Sequence, residues 1–119
     1  MTLVDTSVWI AHFRAGAPEL RTLLENDQVL THPFVIGELA CGSLRNRDEI
    51  LDLLERLPQA QFADHHEVMA LVASRRLYGH GIGWIDAHLL SAALLSRVGL
   101  WTFDRSLAKV AGALGLAHR

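Results

Sequence analysis

The 119-residue sequence predicts an α/β fold: a single domain over residues 1–119, built on a parallel sheet of about four to five short strands flanked by helices. Three observations carry that expectation. Short apolar stretches ("TLV", "QVL", "AQF", "LWTF") alternate with longer stretches of helical spacing. Parallel strands need crossover connections, and helices supply them while covering both faces of the sheet. No internal repeat, linker or low-complexity segment divides the chain, and half of its residues are apolar, so one packed core is expected.

Each element can be justified in turn. "TLVD" opens as a short buried strand running straight into Asp5. "TSVWIAHFRAG" follows with helical spacing of Val8, Ile10, Ala11 and Phe13, and Gly16 is a plausible stop. "APELRTLLEN" reads as a second helix with Pro18 in its first turn, and "QVLTH" as a second strand. Pro33 starts the helix "PFVIGELACGSL". "RDEILDLLERL" is amphipathic, with Ile50, Leu53, Leu54 and Leu57 on one face and Pro58 closing it. "AQF" is expected as a short strand, and "ADHHEVMALVASRRLYG" as a helix capped by Asp64. The glycine-spaced "YGHGIG" leads into the long apolar helix "WIDAHLLSAALLS". "LWTF" ends at Asp104, and "RSLAKVAGALG" is the last helix.

Composition narrows the functional classes. No apolar run reaches the ~18–20 residues that cross a bilayer, and Asp5 interrupts any signal peptide, so no membrane association is expected. The single Cys41 cannot form an internal disulfide, which fits a reducing cytoplasm, and it is expected as a small core residue. The formal net charge is −2, yet arginine supplies ten of the 11 basic residues, and arginine suits bidentate phosphate contacts.

Four acids stand out from apolar surroundings: Asp5 in "TLVDTSV", Glu38 in "VIGELAC", Asp86 in "WIDAHLL" and Asp104 in "WTFDRSL". Between Glu67 and Asp104, Asp86 is the one acid. In an open parallel sheet ligands bind beyond the carboxyl ends of the strands. Asp5 and Asp104 follow strands, Asp86 lies in the first turn of the helix feeding a strand, and Glu38 follows the second strand. All four are expected to gather at one edge. Clustered carboxylates repel and raise one another's pKa, a conflict that a hard divalent cation resolves. Taken singly, Asp5, Asp86 and Asp104 also suit helix caps or first turns, and Glu38 suits a solvated helix face.

"LVDTSVWI", Glu38 in "VIGELACGSL", Asp86 in "GIGWIDAHLLSAAL" and Asp104 in "LWTFDRSLAKVA" together resemble a PIN domain of the VapC type, the toxin of bacterial toxin–antitoxin modules. The resemblance covers essentially the whole chain in motif order. It implies an endoribonuclease dependent on Mg²⁺ or Mn²⁺ that cuts structured RNA such as tRNA or rRNA, a homodimer, and inhibition by a small cognate antitoxin. It carries the acidic site onto Asp5, Glu38, Asp86 and Asp104, with Ser7 and Thr102 as supporting hydroxyls. Setting those four acids aside leaves nine acidic against 11 basic residues, a mildly cationic surface. Arg14, Arg45, Arg47, Arg75, Arg76 and Arg105 are candidates for RNA contact.

Other signals fail on spacing. Gly79, Gly81 and Gly83 miss the dinucleotide pattern, because Trp84 stands where the third glycine belongs. "HHEVMA" lacks the second histidine of a zinc-protease helix, since Ala70 occupies it. Ser7 stands in place of the second acid of a "DxDxT" phosphatase, and a phosphoacceptor domain would need an acidic pair where Asp5 stands alone. The seven histidines show no metal spacing, although His88 lies close to Asp86 in sequence. Trp9, Trp84 and Trp101 are expected in the core or an interface. The alternative to a nuclease is a catalytically silent PIN-like module that binds RNA or a partner protein.

Overall fold

Three parallel strands meet edge to edge: β1 (Thr2–Val4) lies between β2 (Val29–Leu30) and β3 (Gly99–Trp101). The computed structural model describes residues 1–118. β1 is in register with β2 through Thr2↔Val29 and Leu3↔Leu30, and with β3 through Thr2↔Gly99, Leu3↔Leu100 and Val4↔Trp101. All of β1 is buried, as a strand flanked by parallel neighbours and covered on both faces should be.

Four to five strands were expected, and the sheet has three, with one isolated parallel bridge beyond each edge. Thr31 bridges to Gln59 outside β2, and Leu100 bridges to Ala117 outside β3. The expected strand "AQF" is reduced to that first bridge for a local reason. Thr31 N–H donates to the Pro58 carbonyl and Ala60 N–H to the Thr31 carbonyl, both at 2.9 Å. The next amide, Gln61 N–H, turns instead to Ser96 Oγ at 2.8 Å, which ends the ladder.

Helices fill the connections. α1 (Thr6–Ala15) and α2 (Pro18–Glu25) join β1 to β2. α3 (Pro33–Cys41), α4 (Arg47–Arg56), α5 (His65–Ser74) and α6 (Trp84–Ser96) join β2 to β3, and α7 (Arg105–Ala113) follows β3. Asp64 caps α5 in a reciprocal capping box, its carboxylate accepting from Glu67 N–H while Glu67 accepts from Asp64 N–H. α6 is buried continuously from Ala87 to Ala93, which explains why it is apolar all round. Leu3, Val4 and Leu100 of the sheet pack with Leu89 and Leu90 of α6 and Leu107 of α7 in the main core. No helix among the described residues is long and apolar enough to cross a membrane.

Two expectations are corrected here. Cys41 is exposed rather than part of the core: it is the last residue of α3, whose buried residues are Val35, Ile36 and Leu39. The apolar face of α4 is only partly covered: Leu54 is buried, Ile50 and Leu57 are half-buried, and Leu53 is 54% exposed. These four instead line a shallow groove with Trp9, Phe13 and Leu24. Trp9 and Trp101 are buried as expected, whereas Trp84 is exposed.

Leu90→Ala, in the fully buried part of α6, is expected to destabilise the protein by about 2–5 kcal/mol in urea unfolding. Leu53→Ala, on the open groove, should cost less than about 1 kcal/mol. Cys41 should react with a thiol reagent in the native protein at the rate of an exposed cysteine.

Candidate active site

The strand order fixes where a site can form. The chain leaves β1 toward β2 on one side, and leaves β3 toward Ala117 on the other. The carboxyl ends of β1 and β3 therefore border the point at which the winding reverses, where open α/β sheets leave a crevice. Asp5 follows β1, while Thr102 and Asp104 follow β3.

Asp5 is only 7% exposed. It occupies the N-cap position of α1, but its side chain makes no capping hydrogen bond. Its Oδ2 accepts from Ser7 Oγ at 2.7 Å and from Thr102 Oγ1 at 2.8 Å. Each hydroxyl is itself a receiver: Phe103 N–H donates to Ser7 Oγ and Asp104 N–H donates to Thr102 Oγ1, both at 3.0 Å. With backbone amides on their lone pairs, the two hydroxyls direct their protons at the carboxylate. Ser7 and Thr102 thus hold Asp5 by its Oδ2, and neither donates to Oδ1.

Asp86 lies half-buried in the first turn of α6, where its Oδ2 accepts from Gly83 N–H at 3.0 Å. Burial raises its pKa above the ordinary carboxylate range, and the charges of Asp5 and Asp104 raise it further. The Gly83 amide opposes that rise without overcoming it. The helix start alone would favour the ionised form, so desolvation and like charge win. The preceding glycines do turn the backbone: Gly79 and Gly81 have φ of +77° and +79°.

Asp104 is exposed and caps α7, its Oδ1 accepting from Leu107 N–H at 2.9 Å. Its cap role and its field at Asp86 coexist because a carboxylate has two oxygens. Glu38 is also exposed, and Thr6 Oγ1 donates to its Oε1 at 2.7 Å. The structure therefore brings the charges of Asp5 and Asp104 within reach of Asp86, and ties Glu38 to the residue beside Asp5. Among the described residues no three His, Cys, Asp or Glu side chains stand together closely enough to grip one ion as they lie. Asp86 and Asp104 each give an oxygen to a backbone amide, which accounts for the open arrangement.

Thr6 was not singled out by sequence, although a hydroxyl directly after Asp5 was visible there. His88 is buried beside the rings of Phe34 and Trp84, at centroid distances of 4.6 and 4.8 Å, and makes no hydrogen bond with the acids. His32, fully buried in the same aromatic group, has its pKa pushed down to about 4 by burial and then by His88. Arg14 and Arg45 share a groove of about 790 Å³ with Glu38. Arg47 instead donates to the Ala40 carbonyl at 3.0 Å, closing the end of α3. Arg75 and Arg76 lie at the end of α5, and Arg105 is the exposed first residue of α7.

A family model of the PIN domain matches residues 2–113. The chain belongs to the PIN-domain family. Its similarity to Ribonuclease VapC32 of Mycobacterium tuberculosis, in strains CDC 1551 / Oshkosh and H37Rv, places it with the VapC type. Identity to each is 49% over 118 residues, 98% of this chain and 95% of the relative.

The like charges of this PIN domain make a signed prediction. A carboxyl whose pKa is raised on folding favours the folded state while protonated, and that contribution is lost as pH rises through its folded value. Asp86→Asn mimics the protonated form and keeps an acceptor for Gly83 N–H. In EDTA at neutral pH the variant should melt above the parent, the gap closing as pH falls through the raised folded value of Asp86 toward that of a free aspartate. Thermal melts across pH will measure it, and a variant melting below the parent at neutral pH would remove the case for repulsion.

Proposed function

We propose that this PIN domain is a metal-dependent endoribonuclease of the toxin class, hydrolysing phosphodiester bonds in structured RNA such as tRNA or rRNA. The observation that carries the reading is the placement of Asp5 and Asp104 close enough to the half-buried Asp86 for their charges to raise its pKa. Oxygen donors of that charge fit a hard divalent cation, Mg²⁺ or Mn²⁺, and fit no soft one. Asp5 and Asp86 are the main ligands in this reading, with Asp104 and Glu38 completing the set. The name of the M. tuberculosis relatives, a ribonuclease, supports the activity.

When bound, the cation supplies charge neutralisation on the phosphoryl oxygens and lowers the pKa of a water. The protein's own residues do the positioning. Ser7 and Thr102 hold Asp5 at a fixed angle, so its outward oxygen is ready without reorganisation. Thr6 holds Glu38 by Oε1, leaving Oε2 to accept a hydrogen bond from the attacking water and orient it. The water's oxygen attacks phosphorus as the bond to the 3′ oxygen breaks; the water's proton passes by way of Glu38 Oε2 to solvent, and the leaving 3′ oxygen takes one up from solvent, giving a 5′-phosphate and a 3′-hydroxyl. No Ser or His nucleophile is needed, consistent with His88 being packed among aromatic rings.

The same reading includes a homodimer in the cytoplasm, held inactive by a small cognate antitoxin protein. A catalytically silent RNA- or partner-binding module is the alternative that mutagenesis separates. Asp5→Asn and Asp86→Asn should each abolish Mn²⁺- or Mg²⁺-dependent cleavage of RNA while the circular dichroism spectrum stays that of the parent. Cleavage by the double variant at the parental rate would sink the assignment. Thr102→Val should lower cleavage by about 10–100-fold, as loss of a ligand's supporting hydrogen bond does. Expression of the parent should arrest growth, and expression of either acid variant should not.

A further inference from the structure

A groove of about 610 Å³ runs between the α5–α6 connection and α7. Arg75, Arg76 and His80 line one wall, Ser106 and Lys109 the other, and no Asp or Glu lines either. Among the described residues, neither Arg75, Arg76 nor Lys109 is paired with a carboxylate. Three uncompensated cations facing one concavity repel each other and attract a polyanion.

The placement of Arg76 is the second observation. α5 ends in a Schellman turn, with Arg76 N–H donating to the Ala73 carbonyl and Leu77 N–H to the Val72 carbonyl. Arg76 is the left-handed residue of that turn, at φ +52°. Glycine is the favoured residue there, because a side chain is strained in this conformation. The exposed Arg76 side chain gives the fold no ion pair among the described residues in return. Arg76 lines the groove from this turn.

Both walls lead to the acids. Lys109 lies one turn along α7 from Arg105, on the same row of the helix that Asp104 caps. The opposite wall continues through Gly81, so close to α7 that an added Cβ would lie 3.1 Å from Ser106 Oγ. Five residues later comes Asp86.

We propose that this groove binds the phosphodiester backbone of the RNA next to the scissile bond, with Arg75, Arg76 and Lys109 as phosphate contacts. The inference rests on the endoribonuclease reading but is tested by binding alone. The probe is bulk transfer RNA, titrated by filter binding from 50 to 200 mM salt against the full chain carrying Asp5→Asn. Adding Arg75→Gln, Arg76→Asn and Lys109→Gln should weaken binding at least about tenfold at the lowest salt. It should also flatten the logarithmic salt slope by about 2–3, near one unit per lost contact. All three sites are exposed, and asparagine suits the left-handed turn, so folding is preserved. Exchanging each residue for the other basic type should restore the slope. Parental affinity and slope in the triple variant would overturn the proposal and assign the groove to another anion. Failure of the chain with Asp5 intact to cleave RNA would instead overturn the nuclease reading, leaving the binding result to decide the groove by itself.

Discussion

Asp5 sits where the first strand ends, and both hydroxyls that hold it come from different parts of the chain. Ser7 belongs to the first turn of α1, and Thr102 to the segment leaving β3. Their hydrogen bonds to one carboxylate oxygen join the two sides of the sheet's crevice. The backbone amides of Phe103 and Asp104 fix the hydroxyls in turn. Asp5 N–H also donates to the Trp101 carbonyl at 2.9 Å, so the same residue extends the pairing of β1 with β3. Loosening this knot would free the acid and the strand ends together.

Around that fixed charge the other acids are held with different degrees of commitment. Asp86 is carried by the most buried helix of the protein, which leaves it little freedom to move away from Asp5. Asp104 is exposed and divides its oxygens between a helix cap and the crevice. Glu38 is reached only through Thr6. The order suits a site whose centre is rigid and whose margin can adjust to a cation and a bulky anion. Basic residues are kept to the flanks, Arg14 and Arg45 beside Glu38 and the α5–α7 groove beside Asp104. Placed among the acids they would form ion pairs and discharge the centre.

Much of this was legible in the residues. Asp5, Asp86 and Asp104 were conspicuous because acids are rare in apolar runs, and the alternation of short strands with helices placed Asp5 and Asp104 at strand ends and Asp86 in the first turn of a helix. Asp64 was legible as the cap of α5, whereas its reciprocal bond with Glu67 came from the structure. Misreadings fell where a residue's role depends on a distant neighbour. "AQF" looked like a strand, but the Ser96 hydroxyl captures the amide that would have continued it. Leu53 has the spacing of a buried residue, yet α4 has no described element over that part of its face. Cys41 has the surroundings of a core residue in sequence and lies at an exposed helix end. The raised pKa of Asp86 agrees with the expected clustering of acids, but its largest cause, burial, is not visible in a helix start.

The sequence by itself determined the class of fold, the order of elements and the family, because these follow from the period of apolar residues and from motifs in a fixed order. It also marked the acids, since chemistry at a strand end is set by residue type. Only the tertiary structure decided that Ser7 and Thr102 share one oxygen of Asp5, that Glu38 answers to Thr6, and that Arg75 and Arg76 face Lys109 across a groove. Apart from the local Ser7–Asp5 bond, those contacts join residues separated by roughly 30 to 100 positions, and such proximity is set by how strands pair and helices pack, which no local pattern encodes.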